Sequence, residues 1–450
     1  MPNISKVLPL GWVWAGELIE CIHQNHVFRA RLYLSDLQPK LISLYGNTYG
    51  QAYFLGEGKQ TTNLASVSLT KLSNLPIPIP PTNEQRRIVA KIEALKARSQ
   101  RVKEELEAIP ALLDQFRQSV LAAAFRGDLT ADWREKNPDV EPASVLLERI
   151  RAERRRRWEE AELEKMNAQG KTPKDDKWKK KYKEPEPVNT ENLPTLPNGW
   201  KWVNADQICS QITDGEHIQP PYQSEGFPML TAKHVRDGFI DMTDAKFISK
   251  EDFQKCLLRC APETGDLLIV SVGATTGRAA IVSNCPPFAL VRSVLLLKPL
   301  SDAKFMLNWI RSRLCQSWIG TASGATAQAH LYINDTRGMP IPFPPKDEQD
   351  EIVSRLESLF RIADTIEQQY KNSETDLDQL DRSILAKAFR GELVPQDPND
   401  EPASVLLERI RAEREKLDTK KKAKGKTEKK SRKAKPEAAE PEQLSLPGFE

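Results

Sequence analysis

The sequence predicts an α+β fold that is built twice, each time as a mixed domain followed by a long helix. The first observation is a tandem repeat, because matching segments occur in the same order in both halves of the 450-residue chain. The second is a seven-residue spacing of apolar side chains after a double proline in each half. The third is a series of short strand-like segments, separated by turns, ahead of the second long helix. A chain of this length holds about two to three domains.

Four pairs of matching segments define the repeat. They are LPLGWVW (8–14) with LPNGWKW (196–202), IPIPPTNEQRRIVAKIEAL (77–95) with IPFPPKDEQDEIVSRLESL (341–359), SVLAAAFRGDL (119–129) with SILAKAFRGEL (383–393), and EPASVLLERIRAER (141–154) with an unchanged copy at 401–414. Because chance does not place four matches in the same order, the chain is a tandem duplication.

The first copy is shorter than the second. Trp14 and Ile77 lie 63 positions apart, whereas the matching Trp202 and Ile341 lie 139 apart, a difference of 76 residues. Since VFRARLYLSDL (27–37) resembles LVRSVLLLKPL (290–300), the missing residues fall roughly between Trp14 and Val27. We therefore expect the first mixed domain to be truncated. About 70 residues form only a marginal core, so apolar side chains should be exposed there.

A long helix follows the double proline in each copy. Apolar side chains alternate spacings of three and four from Ile88 to Val120 and from Ile352 to Ile384, which is typical of a helix with one continuous apolar seam. Thr82 with Gln85 predicts a capping box at the first helix start, and Pro110 predicts a kink or break. Each straight helix would be roughly 50 Å long. The simplest partner for each seam is the other helix; separate packing of each helix on its own domain is the alternative.

The second mixed domain contains predicted strands at 267–270, 279–282 and 293–297 and helical stretches near 302–318. Two charged regions contain too little apolar sequence to predict a core. The resulting domains are a truncated first mixed domain (1–80), a first helical region (81–154), a charged linker (155–195), a second mixed domain (196–340), a second helical region (341–414) and a disordered basic tail (415–450).

The charge is balanced overall but clustered locally. The net charge is only +3, yet cations concentrate at 154–158, 177–183 and 420–435. We interpret these runs as solvated linker and tail, with nonspecific phosphate contact as the alternative. The six cysteines show no zinc-ligand spacing and are interpreted as free thiols. No apolar run of 18 residues occurs, so we expect a soluble cytoplasmic protein without a membrane partner.

The sequence predicts a binding protein rather than an enzyme. NCPPF (284–288) resembles the amine-binding motif of amino-methyltransferases, but Cys285 separates the asparagine from the prolines. SVGATTGR (271–278) lacks the Gly-Lys-Ser/Thr of a phosphate-binding loop. We therefore expect no catalytic residues, no cofactor and no metal.

Six residues in two loop regions and one turn are candidates for DNA contact, because their side-chain types bind phosphates and base edges. An ordinary loop position is the alternative for each residue taken singly. They are Lys233, His234, Arg236, Arg278, Thr326 and Gln328.

The ordered motifs resemble one known family. LP-x-GW-x-W at the start of each unit, P-x-PP-x-x-EQ-x-x-IV at its end, a long heptad helix and AFRG-[DE]-L together are similar to the specificity subunit of Type I restriction–modification systems. The resemblance covers the chain outside the linker and tail.

The resemblance implies two α+β target-recognition domains joined by two long antiparallel coiled-coil helices. Each domain would read one half of a split double-stranded DNA site, and each helical region would dock one of two modification subunits. Adenine methylation and restriction would belong to partner modification and restriction subunits. The alternatives are the specificity subunit of a related fused enzyme, an inactive deletion variant, and a coiled-coil scaffold that does not read DNA.

Overall fold

The computed structural model describes residues 11–17, 22–24, 27–50, 52–53, 59–61, 64–66, 68–171, 173, 175–324 and 329–432. These residues belong to two compact units. The first comprises Met1–Glu107 and Tyr370–Glu450, and the second comprises Ala108–Gln369.

The described residues contain helices and strands numbered in chain order. The helices are α1 (Pro39–Thr48), α2 (Leu69–Ser73), α3 (Thr82–Leu106), α4 (Ile109–Arg126), α5 (Ala131–Lys136), α6 (Ala143–Ala168), α7 (Ala205–Ile208), α8 (Lys250–Arg259), α9 (Ala303–Arg311), α10 (Arg313–Ala322), α11 (Ile333–Gly338), α12 (Lys346–Phe389) and α13 (Ala403–Arg432). The strands are β1 (Lys59–Thr61), β2 (Leu64–Ser66), β3 (Lys201–Asn204), β4 (Cys209–Asp214), β5 (Phe227–Leu230), β6 (Lys246–Ile248), β7 (Leu267–Val270), β8 (Ala279–Ile281), β9 (Ala289–Leu290), β10 (Val294–Pro299) and β11 (Pro340–Phe343).

A four-stranded antiparallel sheet in the order β4-β10-β7-β8 forms the centre of the second unit. All four residues of β7 are buried, as a continuous apolar strand between two layers requires. A three-stranded sheet, β6-β5-β9, and a two-stranded pair, β11-β3, complete the domain. The strands predicted at 267–270, 279–282 and 293–297 are confirmed within one or two residues. The helices predicted near 302–318 are confirmed as α9 and α10, which together end four residues later, and the predicted α+β class is confirmed.

The break predicted at Pro110 is confirmed, since α3 ends at Leu106 and α4 begins at Ile109 with the proline in its first turn. The predicted capping box is wrong. Pro81 precedes the helix and Thr82 is already its first helical residue, so the threonine hydroxyl cannot act as a cap. Gln85 instead donates to the Pro80 carbonyl and accepts from the Gln38 amide, which fastens the preceding chain to the helix start.

The long helices pair in antiparallel fashion in both units. In the first unit Lys103 of α3 binds Asp378 and Asp381 of α12. Ile88 and Ile92 share an apolar cluster with Ile384 and Ala388, later in α12. Residue numbers therefore rise along one helix as they fall along the other.

In the second unit Arg117 of α4 binds Asp364 and Glu367 of α12. Arg355, nearer the start of α12, binds Asp132 of α5, which follows α4 in the chain. The same reversal of direction applies, so the equivalent helices are each other's partners, as the seven-residue spacing predicted.

The first copy retains the helical part of the mixed domain. α1 and α2 begin 264 positions before α9 and α11, the offset of the repeat. Tyr45 of α1 packs edge-on against Phe389 at 5.0 Å, and the equivalent Trp309 of α9 packs against Phe125 at 5.1 Å.

The sheet has no counterpart in the described residues before position 80, where the strands are the short β1-β2 hairpin. The aligned tryptophans also differ in exposure: Trp12 is 69% exposed, whereas Trp200 is 4% exposed within the core of the second unit. The exposure expected of apolar side chains in the first mixed domain is observed at Trp12, and the truncation itself stays a prediction.

The prediction that the charged linker does not pack is wrong for much of its length. α6 continues to Ala168, and a short 3-10 turn covers Asp176–Lys181. Trp178 of that turn is buried and stacks on Trp158 of α6. Three aromatic side chains in a charged sequence suffice for a local cluster, because each buries a large apolar area.

The tail prediction also needs correction. Residues 415–432 continue α13 as a helix rather than forming a disordered tail. Residues 433–450 lie outside the described residues, so their predicted disorder remains a prediction.

Candidate nucleic-acid interface

Four strand ends meet at one end of the central sheet of the second unit. β4 ends at Asp214 opposite Leu295, β7 ends at Val270 opposite Val294, and Ile269 of β7 faces Ala279, where β8 begins. The loops that follow these ends bind one another through their backbones. The Arg292 amide donates to the Glu216 carbonyl at 2.9 Å, and the Ser271 amide donates to Ser293 at 3.0 Å. These loops form one polar surface, which we name the sheet-end surface: residues 214–219, 271–278 and 291–293.

Gly215 allows the closest of these approaches. A Cβ atom at this position would lie 2.3 Å from the backbone carbonyl of Leu290, closer than any side chain tolerates. The glycine therefore lets the loop after β4 lie directly against the loop before β10.

Two arginines of the sheet-end surface have guanidinium groups that pair with none of the described residues. Arg278 is half-buried and Arg292 is exposed, and neither side chain makes a hydrogen bond or ion pair with any residue that the structure describes. A guanidinium has five N–H donors that fit phosphate oxygens or the O6 and N7 atoms of guanine. These two guanidinium groups can therefore donate hydrogen bonds to the acceptor atoms of a DNA duplex.

A third cation is held in place by a carboxylate. Arg259 donates to Asp214 at 2.5 Å and to the Gly215 carbonyl, and the Nε2 atom of His217 lies 2.8 Å from the same carboxylate. Burial raises the pKa of Asp214, but the hydrogen bonds from Arg259 and His217 outweigh it, so the pKa lies below its usual value. The ionised carboxylate therefore holds the Arg259 guanidinium and the His217 ring in fixed orientations at the solvent-facing surface.

A 3-10 turn at Ala232–His234 carries two of the predicted contact residues. The Nζ atom of Lys233 lies 2.6 Å from Asp244, and the lysine side chain is exposed. His234 is only 2% exposed, and its Nδ1 atom accepts the Thr231 amide at 2.8 Å. Burial, followed by the charge of Lys233, lowers the pKa of His234, so the ring is neutral at pH 7. In this structure His234 organises the turn and presents no ring atom to solvent.

Arg236 and Arg278 lie beside the same strand. The amide of Gly238 donates to the carbonyl of Ala279 at 2.9 Å, which places the loop containing Arg236 next to the start of β8. Arg236 is partly exposed, and its guanidinium is 3.4 Å from Asp241. The structure therefore brings Lys233, Arg236 and Arg278 into one region, whereas Thr326 and Gln328 lie outside the described residues.

Sequence reasoning missed His217, Arg259 and Arg292. The Asp-Gly-Glu-His stretch at 214–217 is a visible turn signal, but its main partner, Arg259, lies 45 positions away. Only the fold brings these residues together. The described residues contain no group of side chains arranged to bind a metal ion, and no helix among them is long and apolar enough to cross a membrane.

The comparisons with known proteins identify the family. The model of the Type I restriction modification DNA specificity domain matches residues 14–111 and 197–374, more than half of the chain and one match in each repeat. The chain belongs to this family.

Similar specificity subunits cover most of the chain. The EcoBI specificity subunit of Escherichia coli is 30% identical, over 91% of this chain and 82% of its own length. The EcoDI specificity subunit of Escherichia coli is 26% identical, over 84% of this chain and 78% of its own length. A chain of a solved structure described as the basis of complex assembly and conformational transition of the type I R-M system matches with a TM-score of 0.50 at 20% identity, over 79% of this chain and 72% of that one. That likeness concerns the fold alone.

Proposed function

We propose that this chain is the non-catalytic specificity subunit of a Type I restriction–modification complex. It binds a specific double-stranded DNA sequence and directs adenine methylation and restriction by partner subunits. The observation that carries the proposal is the double match to the DNA specificity domain, one match in each repeat, on helices that pair antiparallel. The activities of the complex would then reside in two modification subunits and in restriction subunits.

The second mixed domain is the proposed reader of bases. Arg278 and Arg292 supply guanidinium groups that pair with no described residue, and Arg259 and His217 are oriented by Asp214. Lys233 pairs with the exposed Asp244 and Arg236 with the half-buried Asp241, and a DNA phosphate could replace either carboxylate. His234 contributes by fixing the turn. Thr326 and Gln328 are kept as predicted contacts.

The first mixed domain is the proposed incomplete half of the pair. The first family match spans 98 residues and the second spans 178, a difference close to the 76 residues missing from the repeat. α1 and α2 keep their helical counterparts, while the described residues before position 80 contain no counterpart of the central sheet. The boundaries of the six predicted domains are part of this proposal, with the corrections at 155–195 and 415–432.

Each copy of EPASVLLERIRAER has an inner face that can pack on the neighbouring domain and an outer face that a partner subunit could bind. In the first copy Ala143, Leu147 and Ile150 are buried in the core of the second unit. In the second copy the same face is more open: Leu407 is exposed, and Ala403 and Ile410 are half-buried. Packing on a neighbouring domain is therefore one reason for the repeated sequence.

The outer face of this segment repeats in both copies. Arg149 binds Glu141, and Arg409 binds Glu401, in the same local geometry. Each of two identical modification subunits would bind one copy of this face. In the second unit, exposed apolar side chains on α4 and α12, such as Leu112, Phe116 and Ile362, add surface that a partner subunit would cover.

A methylation map tests the proposal. The chain is co-expressed with its modification subunit in a methylation-free host, and methyladenine is located by sequencing. A split asymmetric motif would mean that both domains read bases, and a split palindrome would mean that two copies of the second domain act together. A soluble complex that methylates no motif would overturn the proposal and favour the scaffold or the inactive variant.

A further inference from the structure

The two halves of the chain continue differently after the identical fourteen residues. Both continue as helix, to Ala168 in α6 and to Arg432 in α13. Residues 155–168 contain four basic and four acidic residues, whereas residues 415–432 contain nine basic and three acidic residues, a net charge of +6. One repeat therefore ends in a neutral helix and the other in a strongly basic helix.

The charges of α6 are satisfied within the helix. Arg155 binds Glu159, Arg156 binds Glu153 and Glu160, and Arg157 also binds Glu153. Opposite charges three and four positions apart stabilise a helix.

The sequence of α13 is different, although Lys416 pairs with Glu413. Lysines four positions apart occur as Lys416 with Lys420, Lys420 with Lys424, and Lys422 with Lys426. Like charges at this spacing destabilise a helix by a few tenths of a kcal/mol per pair. Gly425 lowers its intrinsic helix propensity further. A helix of this composition gains stability from a polyanion that neutralises it.

The amino-acid composition of residues 415–432 also indicates which kind of polyanion they bind. Residues 415–432 contain no aromatic residue and one large apolar residue, Leu417. Binding to single-stranded nucleic acid uses aromatic side chains that stack on bases, and binding to a membrane surface uses a face of Trp, Phe or Leu. Lysine ammonium groups instead act as point charges toward phosphates. Eighteen helical residues extend about 27 Å. One turn of a DNA duplex rises roughly 34 Å, so the helix could follow most of one turn.

We propose that residues 415–432 form a phosphate-binding arm, which contacts the backbone of double-stranded DNA without reading its sequence. This inference rests on the proposed function, which makes duplex DNA the ligand of the chain. The arm adds affinity that is equal for target and non-target DNA, and the sheet-end surface supplies the preference between them.

The test compares two triple variants of the full chain in its complex with the modification subunit. Lys420, Lys422 and Lys424 are changed to Gln in one variant, and Arg155, Arg156 and Arg157 are changed to Gln in the matched control, so each loses three positive charges. Binding to a non-target duplex and to a duplex with the methylated motif is measured between about 50 and 200 mM salt.

We expect the lysine variant to bind both duplexes about tenfold or more weakly at low salt. Its slope of log K against log salt should fall by about 2 to 3, and the ratio of target to non-target affinity should not change. The arginine control should stay within about twofold of the unchanged chain. Equal effects of the two variants, or an unchanged slope in the lysine variant, would overturn the arm. Absence of any target preference in the unchanged chain would instead count against the proposed function, whatever the slopes show.

Discussion

At the residue scale, the proposed site depends on arginines that have no ion-pair partner among the described residues. Arg278 and Arg292 lie on adjoining loops at one sheet end, where Arg278 is half-buried and Arg292 is exposed. Partial burial of the Arg278 guanidinium costs free energy that no described residue offsets, so this position favours a ligand that accepts hydrogen bonds. Arg292 presents its donors to the same ligand from the exposed edge of the surface. Residues that already have an ion-pair partner, such as Arg313 with Asp114, do not carry this implication.

Arg278→Ala and Arg292→Ala should each weaken binding to the methylated target by about 1–3 kcal/mol if the arginine contacts a base edge. The methylated motif should then become degenerate at one position. A phosphate contact would instead weaken target and non-target binding alike. Titration with both duplexes measures this, and Arg313→Ala is the matched control. Unchanged affinity for both duplexes would remove the arginine from the site.

A second prediction at this scale concerns Glu348, which is 1% exposed. Its carboxylate accepts hydrogen bonds from Trp200, Thr130 and Arg134. Glu348→Ala should lower the free energy of unfolding by about 3 kcal/mol, because Arg134 loses its buried counter-charge. Glu357→Ala, which breaks a partly exposed pair with Lys304, should cost less than about 1 kcal/mol. Urea unfolding of both variants measures the difference, and equal costs would refute this role of Glu348.

At the element scale, α6 and the segment after it show how few apolar residues order a charged region. Trp178 is buried against Trp158, and Tyr182 lies 5.4 Å from the same ring. Arg154 of α6 links this cluster to the domain through Asp206 and the Cys209 carbonyl. The region between the first helices and the second mixed domain is thus fastened to that domain.

Trp178→Ala should detach the 3-10 turn from α6, since the change removes the largest apolar contact of the cluster. Trypsin should then cut the lysine-rich stretch 177–183 at least several-fold faster than in the unchanged chain. Lys177→Ala, at an exposed position of the same turn, is the control and should leave the cleavage rate of the remaining sites unchanged. Equal cleavage in the Trp178 variant would show that the turn does not depend on this contact.

At the scale of the whole molecule, ion pairs join distant parts of the sequence in both units. Hydrogen bonds from Arg87, Lys103 and Arg355 hold the pKa values of Asp400, Asp378 and Asp132, respectively, below the ordinary value of 3.8. Each pair connects residues more than 200 positions apart. Their combined effect is a property of the fold rather than of any one helix.

Stability should therefore fall in acid. A carboxylate with a lowered pKa contributes its full stabilisation above its ordinary pKa and loses it as the pH falls through the lower value of the folded state. We expect the urea midpoint to be constant from about pH 7 to 5 and to decrease below about pH 4. Addition of 1 M salt should reduce the difference between the urea midpoints at pH 7 and at pH 3, because exposed ion pairs are screened. A midpoint at pH 3 equal to that at pH 7 would show that these pairs do not stabilise the fold.

The sequence by itself determined the tandem repeat, the pairing of the long helices, the break at Pro110 and the main strands of the second domain. These features depend on local spacing and on comparison of the two copies, both of which are visible along the chain. The family followed from the same ordered motifs.

Only the tertiary structure decided which polar residues share a surface. Arg259 reaches Asp214, and Arg278 and Arg292 meet at a sheet end, because antiparallel strands bring distant loops together. Burial likewise distinguished His234 from Lys233, and gave the identical residues Leu147 and Leu407 different surroundings. An identical sequence specifies an identical helix, but the neighbouring domain decides which of its faces meets water.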